Sequence, residues 1–136
     1  MIGQGSVLAS PMAMATVVAS VLEGETVLPK LLPETDVQQK KPAKPLASKE
    51  SEQLRSMMRA VVERGSGEVL GDLPGGPVIA KTGTAEFGEQ PPLPTHAWMV
   101  AGRDDLAVAV FVERGDSGSG TAGPILRDFL DTVRVR

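Results

Sequence analysis

The stretch that decides the fold of this chain is Val78-Ile79-Ala80-Lys81-Thr82-Gly83-Thr84-Ala85-Glu86. Its apolar residues at 78–80 predict a β-strand, and residues 81–86 lie at the strand end. Side chains alternate along a strand, so Lys81 and Gly83 are expected on one side, and Thr82 and Thr84 on the other. An ammonium, two hydroxyls and a glycine that admits another backbone could bind an extended peptide with a terminal carboxylate. The alternative is a strand that simply ends in a turn.

Two further strands are predicted after this stretch. Residues 96–101 and 106–113 are apolar runs, and Arg103-Asp104-Asp105 between them is typical of a hairpin turn. The loop at 87–95 contains three prolines and is too rich in proline to pair. The sequence therefore predicts an antiparallel sheet with three strands from this chain.

Three helices are predicted around the sheet. Ser10 is a suitable cap for a helix over 11–23, and Gly24 is suited to end it. Ser48 or Ser51 is expected to cap a second amphipathic helix over the residues up to 64. Thr121 or Gly123-Pro124 opens the third helix. The apolar face predicted for this helix consists of Ile125, Leu126, Phe129, Leu130 and Val133.

The sequence also predicts the places of the methionines and of two segments that connect the helices and strands. Periodicity places Met14, Met57 and Met58 in helix cores, and Met12 and Met99 are expected to fill gaps in the packing. Residues 29–47 carry four prolines and predict an extended connector. The Gly- and Ser-rich residues 115–120 predict a flexible linker. The fold class is therefore α+β, with a sheet covered by helices.

Composition excludes several classes of function. The net charge is −3, so a basic surface for nucleic acid is not expected. The chain has no Cys and one His, which excludes disulfides and the usual Cys and multi-His metal sites, and no cofactor is expected. The most apolar stretch, residues 11–22, is shorter than the roughly 20 residues that a membrane-spanning helix needs.

Four motifs resemble the C-terminal portion of the penicillin-binding protein transpeptidase domain. The first is Lys81-Thr82-Gly83, extended to Lys-Thr-Gly-Thr-Ala-Glu. The other three also follow the family order, and they are Gly3-Gln4-Gly5 with Ser10-Pro11-Met12-Ala13-Met14-Ala15, Met57-Met58-Arg59-Ala60-Val61-Val62, and His96-Ala97-Trp98-Met99-Val100-Ala101-Gly102. This resemblance implies the fold of the β-lactamase and transpeptidase superfamily.

The resemblance also implies an acyl-transfer site for a cell-wall stem peptide or a β-lactam. Lys81 would supply positive potential, and the hydroxyls of Thr82 and Thr84 would hold the substrate carboxylate. The N–H of Thr84 would form half of an oxyanion hole, and Gly83 would leave room for substrate along the strand edge. The parent protein would be membrane-anchored and would act on the extracytoplasmic face of the bacterial cell membrane.

The chain departs from the family at the nucleophile. No Ser is followed by Lys three residues later, and Ser-x-Asn is impossible because the sequence has no Asn. The single histidine, His96, lies mid-strand in an apolar context and is interpreted, with Trp98, as packed structure. We therefore expect residues 1–136 to be a C-terminal fragment of a peptidoglycan D,D-transpeptidase domain, inactive alone, whose partner is the N-terminal remainder of that domain.

Two alternatives stay open from the residues. One is a noncatalytic β-lactam sensor or peptide-binding module that uses the strand from Lys81 to Thr84 only to hold a carboxylate. The other is a purely structural α+β domain. Ser-x-x-Lys and Ser-x-Asn upstream of Met1 would favour the enzyme, whereas an attached signalling segment would favour the sensor.

Overall fold

The computed structural model describes residues 7–30, 32 and 46–133. In chain order the helices and strands are α1 (Pro11–Glu23), α2 (Ser48–Arg64), β1 (Ile79–Glu86), β2 (Thr95–Arg103), β3 (Leu106–Val112) and α3 (Gly123–Thr132). This order confirms the predicted α+β class. Most of the connector predicted at 29–47 and the whole of Gly3-Gln4-Gly5 lie outside the described residues. Within the described ranges, no helix is both long and apolar enough to cross a membrane.

The three strands form an antiparallel sheet in the order β1-β2-β3. Gly83 of β1 lies opposite Trp98 of β2, which in turn lies opposite Phe111 of β3. The strand predicted at 78–80 was too short, because β1 pairs with β2 along its whole length to Glu86. Arg103 pairs with Leu106, so the hairpin turn is limited to Asp104 and Asp105.

The two faces of the sheet have different partners. We call the face that carries Lys81, Gly83 and Trp98 the front face, and the opposite one the rear face. The rear face holds the main core, where α3, the end of α2 and a 3₁₀ turn at Glu68–Leu70 pack on the sheet. Fully buried members of this core include Val62, Leu70, Ala97, Met99, Leu126 and Leu130. Met99 fills the core as predicted.

Helix α1 begins and ends where the sequence predicts. The Ser10 side chain accepts the N–H of Ala13 at 3.2 Å, and Gly24 adopts the left-handed conformation that ends the helix. Val18 and Leu22 pack over Gly102 on the front face. Helix α1 therefore covers one end of that face.

Helix α2 runs beside the outer edge of β1. Val62 is in the rear core, and Arg59 Nη1 donates to the carbonyl oxygen of Val78 at 2.9 Å. The predicted serine cap is wrong, because Ala47 occupies the cap position and its N–H is held by the Glu50 carboxylate. Ser51 lies buried inside the helix instead, and its hydroxyl donates to the carbonyl oxygen of Val21 at 3.1 Å.

Several apolar residues predicted to be in the core are exposed. Met57 is 60% exposed, and on α3 Ile125 and Phe129 are 49% and 45% exposed. Met12, predicted as a gap-filler, is 45% exposed. A helix that packs on a sheet buries only the residues of one face, and these recur about one turn apart. On α3 they are Leu126 and Leu130.

The residues 115–120 are not a flexible linker. They lead into a π-helical turn at Gly118–Ala122, in which Gly118 and Ala122 are buried. Ser117 Oγ accepts the N–H of Gly120 at 2.9 Å and closes this turn. Only glycine fits at 118, because a Cβ there would collide with the carbonyl oxygens of Trp98 and Gly83. The turn therefore packs directly against the rear of the sheet.

A buried arginine fixes the C-terminal end of α3. Arg103 is 3% exposed, and its guanidinium donates to the carbonyl oxygens of Leu130 at 2.8 Å and Val133 at 3.0 Å. These carbonyls lie at the negative end of the helix dipole, where a cation is stabilised. A third bond, to the carbonyl oxygen of Pro74 at 3.0 Å, ties the same guanidinium to the segment before β1.

A surface ion pair joins the middle of α3 to the segment that follows the 3₁₀ turn. Arg127 donates to both carboxylate oxygens of Asp72, at 2.5 and 3.1 Å. The hydrogen bond from Arg127 lowers the pKa of the Asp72 carboxyl. The pair is exposed to solvent, so it orients the segments more than it stabilises them.

The packing of α3 gives a stability prediction. We expect Leu126→Ala to lower the free energy of unfolding by about 2–5 kcal/mol, because it empties a site at the centre of the rear core. Ile125→Ala, on the adjacent exposed position, should cost no more than about 1 kcal/mol. Urea unfolding of both variants measures the difference. Equal losses would contradict the burial of α3 on the rear face.

Candidate functional site

The residues singled out from the sequence lie together on an edge strand. β1 is one of the two edge strands of the sheet within the described residues. Helix α2 reaches the start of its outer edge, where Arg59 binds the carbonyl oxygen of Val78, and ends at Arg64. No described strand pairs with the outer edge of β1 from Lys81 to Glu86. This edge can therefore accept an extended chain.

Lys81 lies on the front face of β1. Its Nζ donates to the carbonyl oxygen of Thr82 at 2.6 Å, and no ion pair to it occurs among the described residues. Its side chain lines an otherwise apolar groove of about 400 Å³ between α1 and α2, together with Met14, Met57 and Val100. The apolar stem thus packs in the groove while the charge stays at the motif.

Thr82 and Thr84 lie on the rear side of the same strand, as the alternation predicts. Thr82 Oγ1 lies 2.7 Å from the hydroxyl oxygen of Ser66, in the turn that follows α2. Thr84 Oγ1 accepts the N–H of Gly118 at 3.1 Å. Each hydroxyl therefore has one partner from outside the strand.

Gly83 opens the front of the strand. A Cβ at this position would lie 3.3 Å from the Cβ of Trp98, so any larger residue would crowd the neighbouring strand. A shallow depression of about 280 Å³ lies in front of Gly83 and is bordered by Lys81, Trp98 and Val100. Lys81 and Gly83 both line this depression, so a ligand there would contact the side chain of Lys81 and the strand at Gly83.

His96 serves the packing of an aromatic cluster. Its ring stacks on Phe87 with centroids 3.9 Å apart, and its Nδ1 donates to the carbonyl oxygen of Glu113 at 2.7 Å. Phe111 contacts both His96 and Trp98, at 5.2 and 4.4 Å between ring centroids. The interpretation of His96 and Trp98 as packed structure is confirmed.

Two residues of this region were not predicted from the sequence. Ser66 sits in a short Gly-Ser-Gly turn that carries no catalytic signature, and Gly118 sits in a stretch interpreted as a linker. Ser117, three residues before Gly120, was the available signal, because Ser in such a position often caps a turn. Nothing in the local sequence indicates that Ser66 lies against Thr82.

Comparison with known proteins assigns this chain to a family. A family model described as the penicillin binding protein transpeptidase domain matches residues 1–131. The chain is 32% identical to peptidoglycan D,D-transpeptidase PbpA of Mycobacterium tuberculosis over 97% of its own length, and it covers 30% of that relative. It is also similar to the crystal structure of Pseudomonas aeruginosa PBP2 in complex with WCK 5153, with a TM-score of 0.72 and 27% identity.

That structural match covers 95% of this chain and 30% of the PBP2 chain. The chain therefore spans about 30% of the length of the relatives it matches, and the structural match agrees with the α+β fold described above. With nearly every residue covered by the family model, the chain belongs to the penicillin-binding protein transpeptidase domain family.

Proposed function

We propose that this chain is the C-terminal part of a peptidoglycan D,D-transpeptidase domain, which cross-links cell-wall stem peptides by serine acyl transfer and binds β-lactams. The observation that carries the proposal is the open edge of β1, where the Lys81 ammonium and Gly83 border the front depression and the hydroxyls of Thr82 and Thr84 lie on the rear side of the same strand. Membership of the family supports the same reaction class. The relative in Mycobacterium tuberculosis is named for this activity.

The hydroxyls of Thr82 and Thr84 bind the substrate carboxylate in this proposal. They are two residues apart on one side of the strand, so their Cα atoms are about 7 Å apart. A carboxylate only accepts hydrogen bonds, and two hydroxyl donors at this spacing can bracket its two oxygens. The substrate chain then lies along the outer edge of β1 as an added strand, with Gly83 leaving room for it.

The N–H of Thr84 supplies half of the oxyanion hole. The other half is the N–H of the nucleophilic serine, which lies outside this chain together with its general base. Lys81 contributes positive potential to the nucleophile and to the carboxylate. The serine oxygen bonds to the carbonyl carbon of the D-Ala-D-Ala peptide bond or of the β-lactam ring. The C–N bond at that carbon breaks, and the released nitrogen takes up the serine proton.

The front-face groove is where the rest of the domain docks in this proposal. The groove is lined by apolar side chains of α1 and α2 with Lys81 at its edge, and its rim includes Val17 and Met57, which are 54% and 60% exposed. An apolar groove with exposed apolar residues at its rim is a candidate site of association. The N-terminal remainder of the domain would cover it and bring the nucleophile to Lys81, on the extracytoplasmic side of a membrane-anchored protein.

The role of Thr84 tests this proposal directly. In the full-length protein, we expect Thr84→Val to slow acylation by a fluorescent penicillin by about tenfold or more, because one hydrogen bond to a charged group is lost. Thr84→Ser is the matched control, since it keeps the hydroxyl and the backbone N–H. Wild-type rates in the valine variant, or no acylation of any variant, would refute the proposed function.

A further inference from the structure

The hydroxyls of Thr82 and Thr84 differ from those of three helical residues, Thr16, Ser20 and Thr132, in what they do with their protons. Thr16, Ser20 and Thr132 donate to backbone carbonyl oxygens of their own helices, at 2.7–2.8 Å. A hydroxyl has a single proton, so these three have none left for a ligand. Among the described residues, neither Thr82 nor Thr84 donates to a carbonyl oxygen.

The partner of Thr84 leaves its proton available. The N–H of Gly118 can only donate, so the bond at 3.1 Å uses a lone pair of Thr84 Oγ1. Gly118 is held in place because its backbone packs against Gly83 and Trp98. The hydroxyl is therefore fixed as an acceptor toward the protein and can donate toward the outer edge of β1.

The partner of Thr82 is a second hydroxyl. The oxygens of Ser66 and Thr82 are 2.7 Å apart, and one of them donates to the other. A carboxylate beside Thr82 would select the arrangement in which Ser66 donates to Thr82 and Thr82 donates to the ligand. A hydroxyl that accepts one bond becomes a better donor in the next.

We propose that Ser66 is a positioning residue of the carboxylate site, which orients the Thr82 hydroxyl so that its proton points to the substrate, as the Gly118 N–H does for Thr84. This inference rests on the proposed function of Thr82 and Thr84. Ser66 does not itself touch the reacting atoms. Its effect is therefore limited to ligands that carry the carboxylate.

The test compares two ligands in the full-length protein. Acylation rates are measured with a fluorescent penicillin as the free acid and as its methyl ester, which lacks the charged acceptor. We expect Ser66→Ala to lower the rate with the acid about threefold to tenfold, as for the loss of one hydrogen bond, and to leave the rate with the ester unchanged. Ser66→Thr should restore the rate with the acid because it keeps the hydroxyl.

The control is Ser56→Ala, which removes a hydroxyl from an exposed position of α2. Ser66 is also exposed, so its replacement should leave the melting temperature unchanged. If wild type prefers the acid and Ser66→Ala keeps that preference, or if Ser66→Ala slows both ligands equally, the role of Ser66 is refuted and the proposed function stands. If wild type reacts equally with acid and ester, the carboxylate role of Thr82 and Thr84 fails, and that of Ser66 with it.

Discussion

Incubation of the chain Met1–Arg136 with a labelled penicillin is expected to give no covalent adduct. Acyl transfer needs a serine beside a base, and no serine of this sequence has a lysine three residues later. Among the described residues, the single histidine bonds to the carbonyl oxygen of Glu113 and stacks on Phe87, and no serine hydroxyl is hydrogen-bonded to it. Intact-mass spectrometry measures the result.

The control is the full-length protein of the proposal, in which this chain follows the N-terminal remainder of the domain, and it should gain the mass of one opened penicillin. A stoichiometric adduct on the chain alone, abolished by replacing one serine, would show that the nucleophile lies within these residues. Ser66 is the first serine to replace in that event, because its hydroxyl is hydrogen-bonded to Thr82 of the motif.

The second large effect is expected for Lys81→Met in the full-length protein. Loss of the ammonium removes a charge-assisted interaction, so acylation by a fluorescent β-lactam should slow by about tenfold to a hundredfold. Methionine retains most of the stem that lines the groove with Met14 and Val100, so the melting temperature should change little. Stopped-flow acylation and thermal unfolding measure the two quantities.

Lys49→Met is the matched control, since it removes a charge from the exposed first turn of α2. It should leave both the rate and the melting temperature unchanged. An unchanged rate in Lys81→Met would mean that the motif is structural in this chain. A slow rate together with a lower melting temperature would lead to the same conclusion, because the lysine would then act through packing.

Local rules were sufficient for much of the framework. Ser10 and Gly24 cap the two ends of α1 as predicted, because capping depends on a few consecutive residues. The opposite sides of Lys81 and Thr82 follow from the alternation of any strand. The motif itself could be located from the sequence because its order Lys-Thr-Gly-Thr lies within one strand, so that one stretch of chain carries the whole set.

Burial could not be decided from periodicity alone. Met57 and Val62 both fit the apolar pattern of α2, yet Met57 is 60% exposed and Val62 is 2% exposed. The difference arises because α2 lies beside the edge of β1 and turns only Val62 into the rear core. The position of a helix relative to a sheet depends on how the whole chain packs. The apolar pattern of one helix therefore does not reveal it.

What the sequence by itself determined is therefore the fold class, the order of its elements and the strand that carries the candidate site. Only the tertiary structure decided which groups support that strand, namely Ser66 against Thr82 and Gly118 against Thr84. These partners are 16 and 34 residues apart in the chain. Secondary structure and capping depend on neighbours within a few residues, whereas hydrogen bonds between distant segments form only after the chain has packed, so no local pattern records them.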